Sequence, residues 1–280
     1  MGASFRAEAL KLSRRPAVWV LAGVWFALVV LFGYVLTYLV FANPPESSFP
    51  PGTNPQDFIE VLFPENLLSN VLSGFPSTGG GPVALILGAL ALGSEYGWGT
   101  FKTAFTQRPG RLAVFFGKIL VLAATVAVFV LLAFGAGAVS SYAIARLEGV
   151  AVAWPSLGDT LRALGCGFLI SAVWTSLGAF LATLFRGTPL AIGLGLVYAL
   201  LLEGIAATLL AANESLEPVL KLLLNENSYA LINSFGSTSG AGLGGPQSIV
   251  EPERAAITLA AYALVFVLVS ALLLRRRDVA

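Results

Sequence analysis

From Ala17 to Phe41 the chain runs for 25 residues without one charged side chain. As an α-helix rising 1.5 Å per residue it would reach about 37 Å, enough to cross a hydrocarbon core of about 30 Å. In that solvent every backbone N–H and C=O must find its partner inside the protein, so a helix is the form such a run takes. A secretory signal has an apolar region of only about 7 to 15 residues, and this run is therefore expected to persist as a span. Similar runs recur at about 82–96, 118–144, 163–185, 188–212 and 255–274. With 57% hydrophobic and 11% charged residues, well under the roughly one quarter charged in soluble domains, the expected class is an all-α membrane protein. Six transmembrane helices are expected in one domain, 1–280.

The second span is the shortest, because Gly79-Gly80-Gly81-Pro82 interrupts the uncharged stretch from Asn66 to Ser94. The third is long and carries Ala133, Gly135 and Gly137 as small packing positions. Cys166 sits in the fourth as a small filler. Arg186-Gly187-Thr188-Pro189 reads as a tight turn whose proline starts the fifth.

Charge sorts the connections into two sets. Those on the N-terminal side of the bilayer, with the two termini, hold twelve basic residues against Glu8, Glu95 and Asp278, a net +9. The opposite connections hold Arg146, Arg162, Lys221 and Arg254 against eleven carboxylates, a net −7. Basic loops stay in the cytosol, so both termini are expected there, in a plasma membrane. Residues 2–15 read as a short amphipathic helix on the cytosolic leaflet, each basic residue drawn to anionic lipid by about 1 kcal/mol. Phe58, Ile59, Leu62, Phe63, Leu67 and Leu68 suggest a piece resting on the outer leaflet. Val219 to Leu224 is apolar apart from Lys221, and 233–245 is rich in Gly and Ser. Trp19, Trp25 and Trp174 are expected to face lipid or pack, and Trp154 to anchor at an interface.

One connection is distinctive: Glu95-Tyr-Gly-Trp-Gly-Thr-Phe-Lys-Thr-Ala-Phe-Thr-Gln-Arg-Pro-Gly-Arg111, followed by Gly117-Lys118. Arg108-Pro109-Gly110 stops a short helix on which Trp98, Phe101 and Phe105 fall three and four residues apart, with Lys102 pointing elsewhere. Two readings fit: a helix lying on the bilayer surface, or a knob for a groove in another protein, with aromatic anchors carrying the binding energy.

The ordered set Glu95, Gly99, Thr100, Phe101, Lys102, Arg108, Pro109, Arg111, Gly117 and Lys118 resembles the membrane (permease) subunit of bacterial ABC-2 type ABC transporters. The resemblance covers essentially the whole chain, and Leu200 to Gly204 is similar to a fifth-span glutamate motif common in actinobacterial-type members. The broken second span departs from the family pattern. The resemblance implies that Trp98 to Gln107 is a cytosolic coupling helix docking on an ATP-binding subunit. It also implies two such ATPase chains, a second permease chain (homodimer or heterodimer), and a re-entrant or interfacial outer segment between spans five and six. ATP and Mg would sit on the partner, with no cofactor on this chain.

Glu203 lies about 15 residues into the fifth span, roughly 22 Å from its start. A charge there is costly, so the carboxyl is expected to face a polar cavity or a partner or to stay protonated; the readings are a residue that snorkels or bonds between helices, a lining of a substrate pathway, or a restraint on the segment after it. No histidine and a single cysteine exclude zinc, haem and His-based acid/base sites on this chain. No Gly-x-x-x-x-Gly-Lys-Ser/Thr loop is present to cradle ATP, and the residues of intramembrane proteases are missing, so an enzyme is not expected. Nothing points to nucleic acid. The alternative is a six-span channel or secondary carrier acting alone, for which the spans carry few polar residues.

Overall fold

The structure, a computed structural model, describes residues 2–42, 55–76, 79–97, 111–211, 214–236 and 248–276. Every regular element among them is helical: α1 (Gly2–Ser13), α2 (Pro16–Ala42), α3 (Pro55–Glu60), α4 (Leu67–Ser73), α5 (Gly80–Gly97), α6 (Arg111–Leu147), α7 (Leu157–Phe185), α8 (Thr188–Ala211), α9 (Glu217–Leu220), α10 (Leu224–Asn233) and α11 (Pro252–Arg276). Five of them, α2, α6, α7, α8 and α11, are long and apolar enough to cross a membrane. They coincide with five of the six expected spans. The remaining one, expected at 82–96, is α5, whose 18 residues reach about 27 Å. Twelve of those residues are buried, because α5 lies inside the bundle with protein on most sides.

Several helices outrun their apolar cores. The helix expected from Lys118 already starts at Arg111, and the one expected from Ala163 starts at Leu157. Asp159 and Arg162 are thus in the first turns of α7, not in a loop. Ser156 caps that helix, its Oγ accepting the Asp159 N–H at 3.1 Å, as serine does for the first free backbone donors. Charged first turns look like loop to hydropathy, which accounts for the late starts.

The centre is the crossing of α5 with α7, which run in the same direction. A methyl group on Gly88 would overlap the backbone carbonyl of Thr175, and one on Gly178 that of Leu85. Only hydrogen fits at either position, and the backbones approach as closely as two helices can. Gly195 of α8 completes the contact, since a Cβ there would meet the Leu85 side chain at 2.6 Å. The turn from α7 into α8 closes as expected at 186–187, but Arg186 rather than Gly187 takes the left-handed conformation, with φ 54°.

α2 lies alongside α6 in the same direction. Trp25 donates from Nε1 to the Phe129 carbonyl at 3.1 Å, and near the far end the Tyr38 hydroxyl donates to Glu148 at 2.6 Å. Two spans depart from α-geometry. Leu28–Val35 in α2 and Tyr198–Leu202 in α8 are π-helical. Inward positions follow Leu21, Trp25, Val29 and Tyr34 along α2, and Ala191, Gly195, Ala199 and Glu203 along α8. Trp25 and Trp174 are buried, Trp19 is exposed, and Trp154 stacks on Tyr142 with ring centroids 6.4 Å apart.

The segment expected to rest on the outer leaflet does not do so. Ile59, Leu62, Phe63, Leu67 and Leu68 are buried in the core, and Leu72 and Phe75 after them are fully enclosed. Small residues make the space: the Cα of Gly137 faces Val71 and Leu67, and that of Gly167 faces Phe75 and Leu72. Phe75 also meets Trp25 edge-on at 5.1 Å. α4 packs against α10, so both long connections fold back into the bundle and meet there.

These contacts set a stability test. Gly178→Val should lower the melting temperature of the detergent-solubilised protein sharply, or abolish its folded yield, since overpacking costs about 1–3 kcal/mol or more. Gly135→Ala, where a Cβ meets no atom within 4 Å, should be neutral or stabilising.

Candidate functional site

Two residues before the end of α5, Glu95 is 2% exposed. A carboxylate at that depth needs opposite charge, and three cations supply it. Lys118 Nζ lies 3.0 Å from Glu95 Oε1, Arg15 reaches the same oxygen at 3.0 Å, and Lys11 donates to it as well. Lys118, itself 5% exposed, also pairs with Glu8 at 2.6 Å. The second Arg15 nitrogen donates to Ser94 Oγ at 2.8 Å and to the Leu90 carbonyl at 3.3 Å.

Local sequence explains the convergence. Glu8, Lys11 and Leu12 fall three and four residues apart, so they share one face of α1, with Leu12 buried and Arg15 following at the junction with α2. Leu90 and Ser94 are likewise four apart on α5. Lys118 is two turns into α6, far enough to be enclosed by the other two helices.

Desolvating five charges brings little net stability, since the cost of burial roughly matches the attraction. What the cluster does is fix geometry. It ties α1 to the end of α5 and to the start of α6, the two helices from which segment 98–110 departs and returns.

Of the sequence-predicted coupling residues, the structure brings Glu95 and Lys118 into direct contact, and Arg111 opens α6. Trp98, Gly99, Thr100, Phe101, Lys102, Phe105, Arg108 and Pro109 lie outside the described residues. Glu8, Lys11, Arg15 and Ser94 were missed. Lys11 and Arg15 read as lipid-directed charges in the sequence, but in the structure they point to Glu95 instead. A signal was present: Glu8 and Glu95 are two of only three carboxylates on the basic side of the chain.

Glu203 occupies a different place and has a different job. It is 1% exposed and follows directly on the π-helical turn of α8. Its Oε1 accepts the Tyr198 hydroxyl at 2.8 Å and the Leu224 N–H at 2.6 Å, and its Oε2 accepts the Asn225 N–H at 3.1 Å. Those amides open α10, whose own capping position is Leu223, a side chain with no acceptor. Glu203 is thus a remote cap on α10, its carboxyl group set at the positive end of the helix dipole. Among the three roles open to it in the sequence, the geometry matches a restraint on the following segment. Ser248 and the Ile249 N–H fasten the far side of that segment to Glu226, each at 2.8 Å. Outside the spans, burial raises the Tyr229 hydroxyl above its ordinary value, with nearby Glu203 adding to the effect.

Among the described residues no group of three metal-ligating side chains comes together.

Glu95→Ala should destabilise the protein by up to about 3–5 kcal/mol, because Arg15 and Lys11 lose the carboxylate they share and buried Lys118 keeps only Glu8. Lys11→Ala, at a side chain one-third exposed, should cost no more than about 1 kcal/mol. Thermal unfolding in detergent, read with protease sensitivity of α1, distinguishes the two. For Glu203→Leu, hydrogen exchange at Leu224 and Asn225 should accelerate about tenfold to a hundredfold, the loss expected for charged hydrogen bonds of about 1.5–3 kcal/mol. Exchange in α6 should stay unchanged.

Residues 26–280 match the model of a family described as Protein of unknown function (DUF2705). No curated protein matches the chain.

Proposed function

Since the chain belongs to the DUF2705 family, whose description names no activity, we propose its function from its own residues: the permease subunit of a bacterial ABC-2 type transporter. Two such chains work with two ATP-binding chains in the plasma membrane and export an amphiphilic drug, peptide or lipid. α5 is the sixth span, kept short because the bundle encloses it, and the basic end with both termini faces the cytosol. Closing of the ATPase pair pushes the helix at Trp98 to Gln107. The shared carboxylate of Glu95 passes that push to α1, α5 and α6 together. ATP and Mg stay on the partner, and this chain contributes path and linkage.

One observation carries most of the support: a buried carboxylate held by three cations from α1, the α1–α2 junction and α6, at the root of the segment whose sequence resembles a coupling helix.

The test is Phe101→Ala with Phe105→Ala. Truncating an interface anchor costs about 2 kcal/mol or more, close to thirtyfold in affinity. The double variant should insert and fold, yet lose its ATPase partner in pull-down or leave hydrolysis unstimulated by substrate. Full retention with normal stimulation would favour a surface helix. Absence of any co-purifying ATPase from the native membrane would favour a channel or carrier acting alone. Orientation has its own check: a cysteine placed within 233–245 should react with an impermeant reagent from outside, and one at Gln107 should not.

A further inference from the structure

Between α2 and the re-entrant helix α4 lies a cavity of about 460 Å³, within the range that holds small ligands. One wall is the π-helical stretch of α2, contributing Leu28, Val29, Phe32 and Gly33; Val71, Gly74 and the Trp25 ring form much of the rest. Among the described residues no carboxylate or cation lines it. Asn70 and Ser73 add polar groups, and the Asn70 amide donates to the Gly33 carbonyl at a long 3.3 Å. Tyr34, also in the lining, is 1% exposed, and its hydroxyl is buried with the Asn70 side chain as its polar neighbour.

The position of the opening indicates where a ligand comes from. Phe32 both lines the cavity and is largely exposed, and Leu31, Val35 and Leu36 around it are exposed too. In a membrane-crossing helix that face borders hydrocarbon, so entry is from the bilayer. π-Helical insertions are frequent at functional sites, and this one sits where the wall needs a wider turn.

We propose that this cavity is a binding site for an uncharged, mainly apolar molecule carrying a single hydroxyl or carbonyl group, taken up laterally from the bilayer. Apolar walls hold the chain of the ligand, and Asn70, beside Tyr34, meets its polar group. Charged amphiphiles are excluded because no counter-ion is available at that depth. The proposal does not rest on coupling to an ATPase, and binding is measured on the permease alone.

The probe is a diazirine-bearing long-chain alcohol, added to the purified protein in lipid nanodiscs, with the corresponding carboxylate and alkane as comparisons. Labelling should concentrate on 25–34 and 70–74 and be competed by unlabelled alcohol, with the carboxylate at least fivefold weaker. Gly33→Leu adds a side chain where a Cβ meets no atom within 4 Å, and should reduce this labelling at least fivefold while leaving the melting temperature near wild type. Asn70→Leu should make alcohol and alkane label alike. Labelling that does not saturate and spreads evenly over α2, α8 and α11, or carboxylate labelling equal to that of the alcohol, overturns the proposal. Should Gly33→Leu fail to fold, competition in the wild-type protein decides alone.

Discussion

The structure depends on how closely α5 and α7 approach. Lipid tails are as apolar as leucine, so no hydrophobic drive pushes helices together in a bilayer, and close packing must do the work. Gly88 and Gly178 allow it, each facing the backbone carbonyl of the other helix. α5 can be short and interrupted at its start because it makes its contacts with protein. From that centre α8 is placed by Gly195 against Leu85, and α2 by Trp25, whose ring leaves no room for a Cβ on Gly80.

Two carboxylates sit deep in this frame and meet the cost of burial in different ways. Glu95 is neutralised by side-chain cations from elements far apart in sequence. Glu203 instead takes backbone N–H groups at the start of α10 and the hydroxyl of Tyr198. The first arrangement ties helix ends together. The second holds a folded-back segment in place.

Long uncharged runs are legible because the bilayer demands them, and five spans fall where hydropathy places them. Helix ends were less so: Arg111, Asp159 and Arg162 extend helices in charged residues that count against a span. The fold-back of Leu67 to Phe75 was hidden, since an apolar stretch of that length suits an interface as well as a core. What decides between them is a matching set of small residues, Gly137 and Gly167, some 65 to 95 positions away. Glu95 and Lys118 were both singled out in the sequence as members of one ordered set, but not as an ion pair. Lys11 and Arg15 were not, because a basic helix near a membrane has lipid as its default partner, and only the three-dimensional placement of Glu95 redirects them. Glu203 could be read as constrained, while the amides it holds lie 21 and 22 residues on, where an apolar run gives way to Asn225-Glu226-Asn227 with no signature of its own.

The π-helical turns have a consequence for angular phase. Ala191, Gly195, Ala199 and Glu203 are all buried, yet steps of four in a regular α-helix rotate about 40° beyond a full turn, about 120° over three steps. At that angle Glu203 would swing from the bundle toward lipid. The wider turn at Tyr198–Leu202 takes up part of the excess and keeps the line facing inward. Along α2 the same device permits a step of five, from Val29 to Tyr34. The number of residues in these two spans, as much as their identity, therefore sets which way their polar groups point.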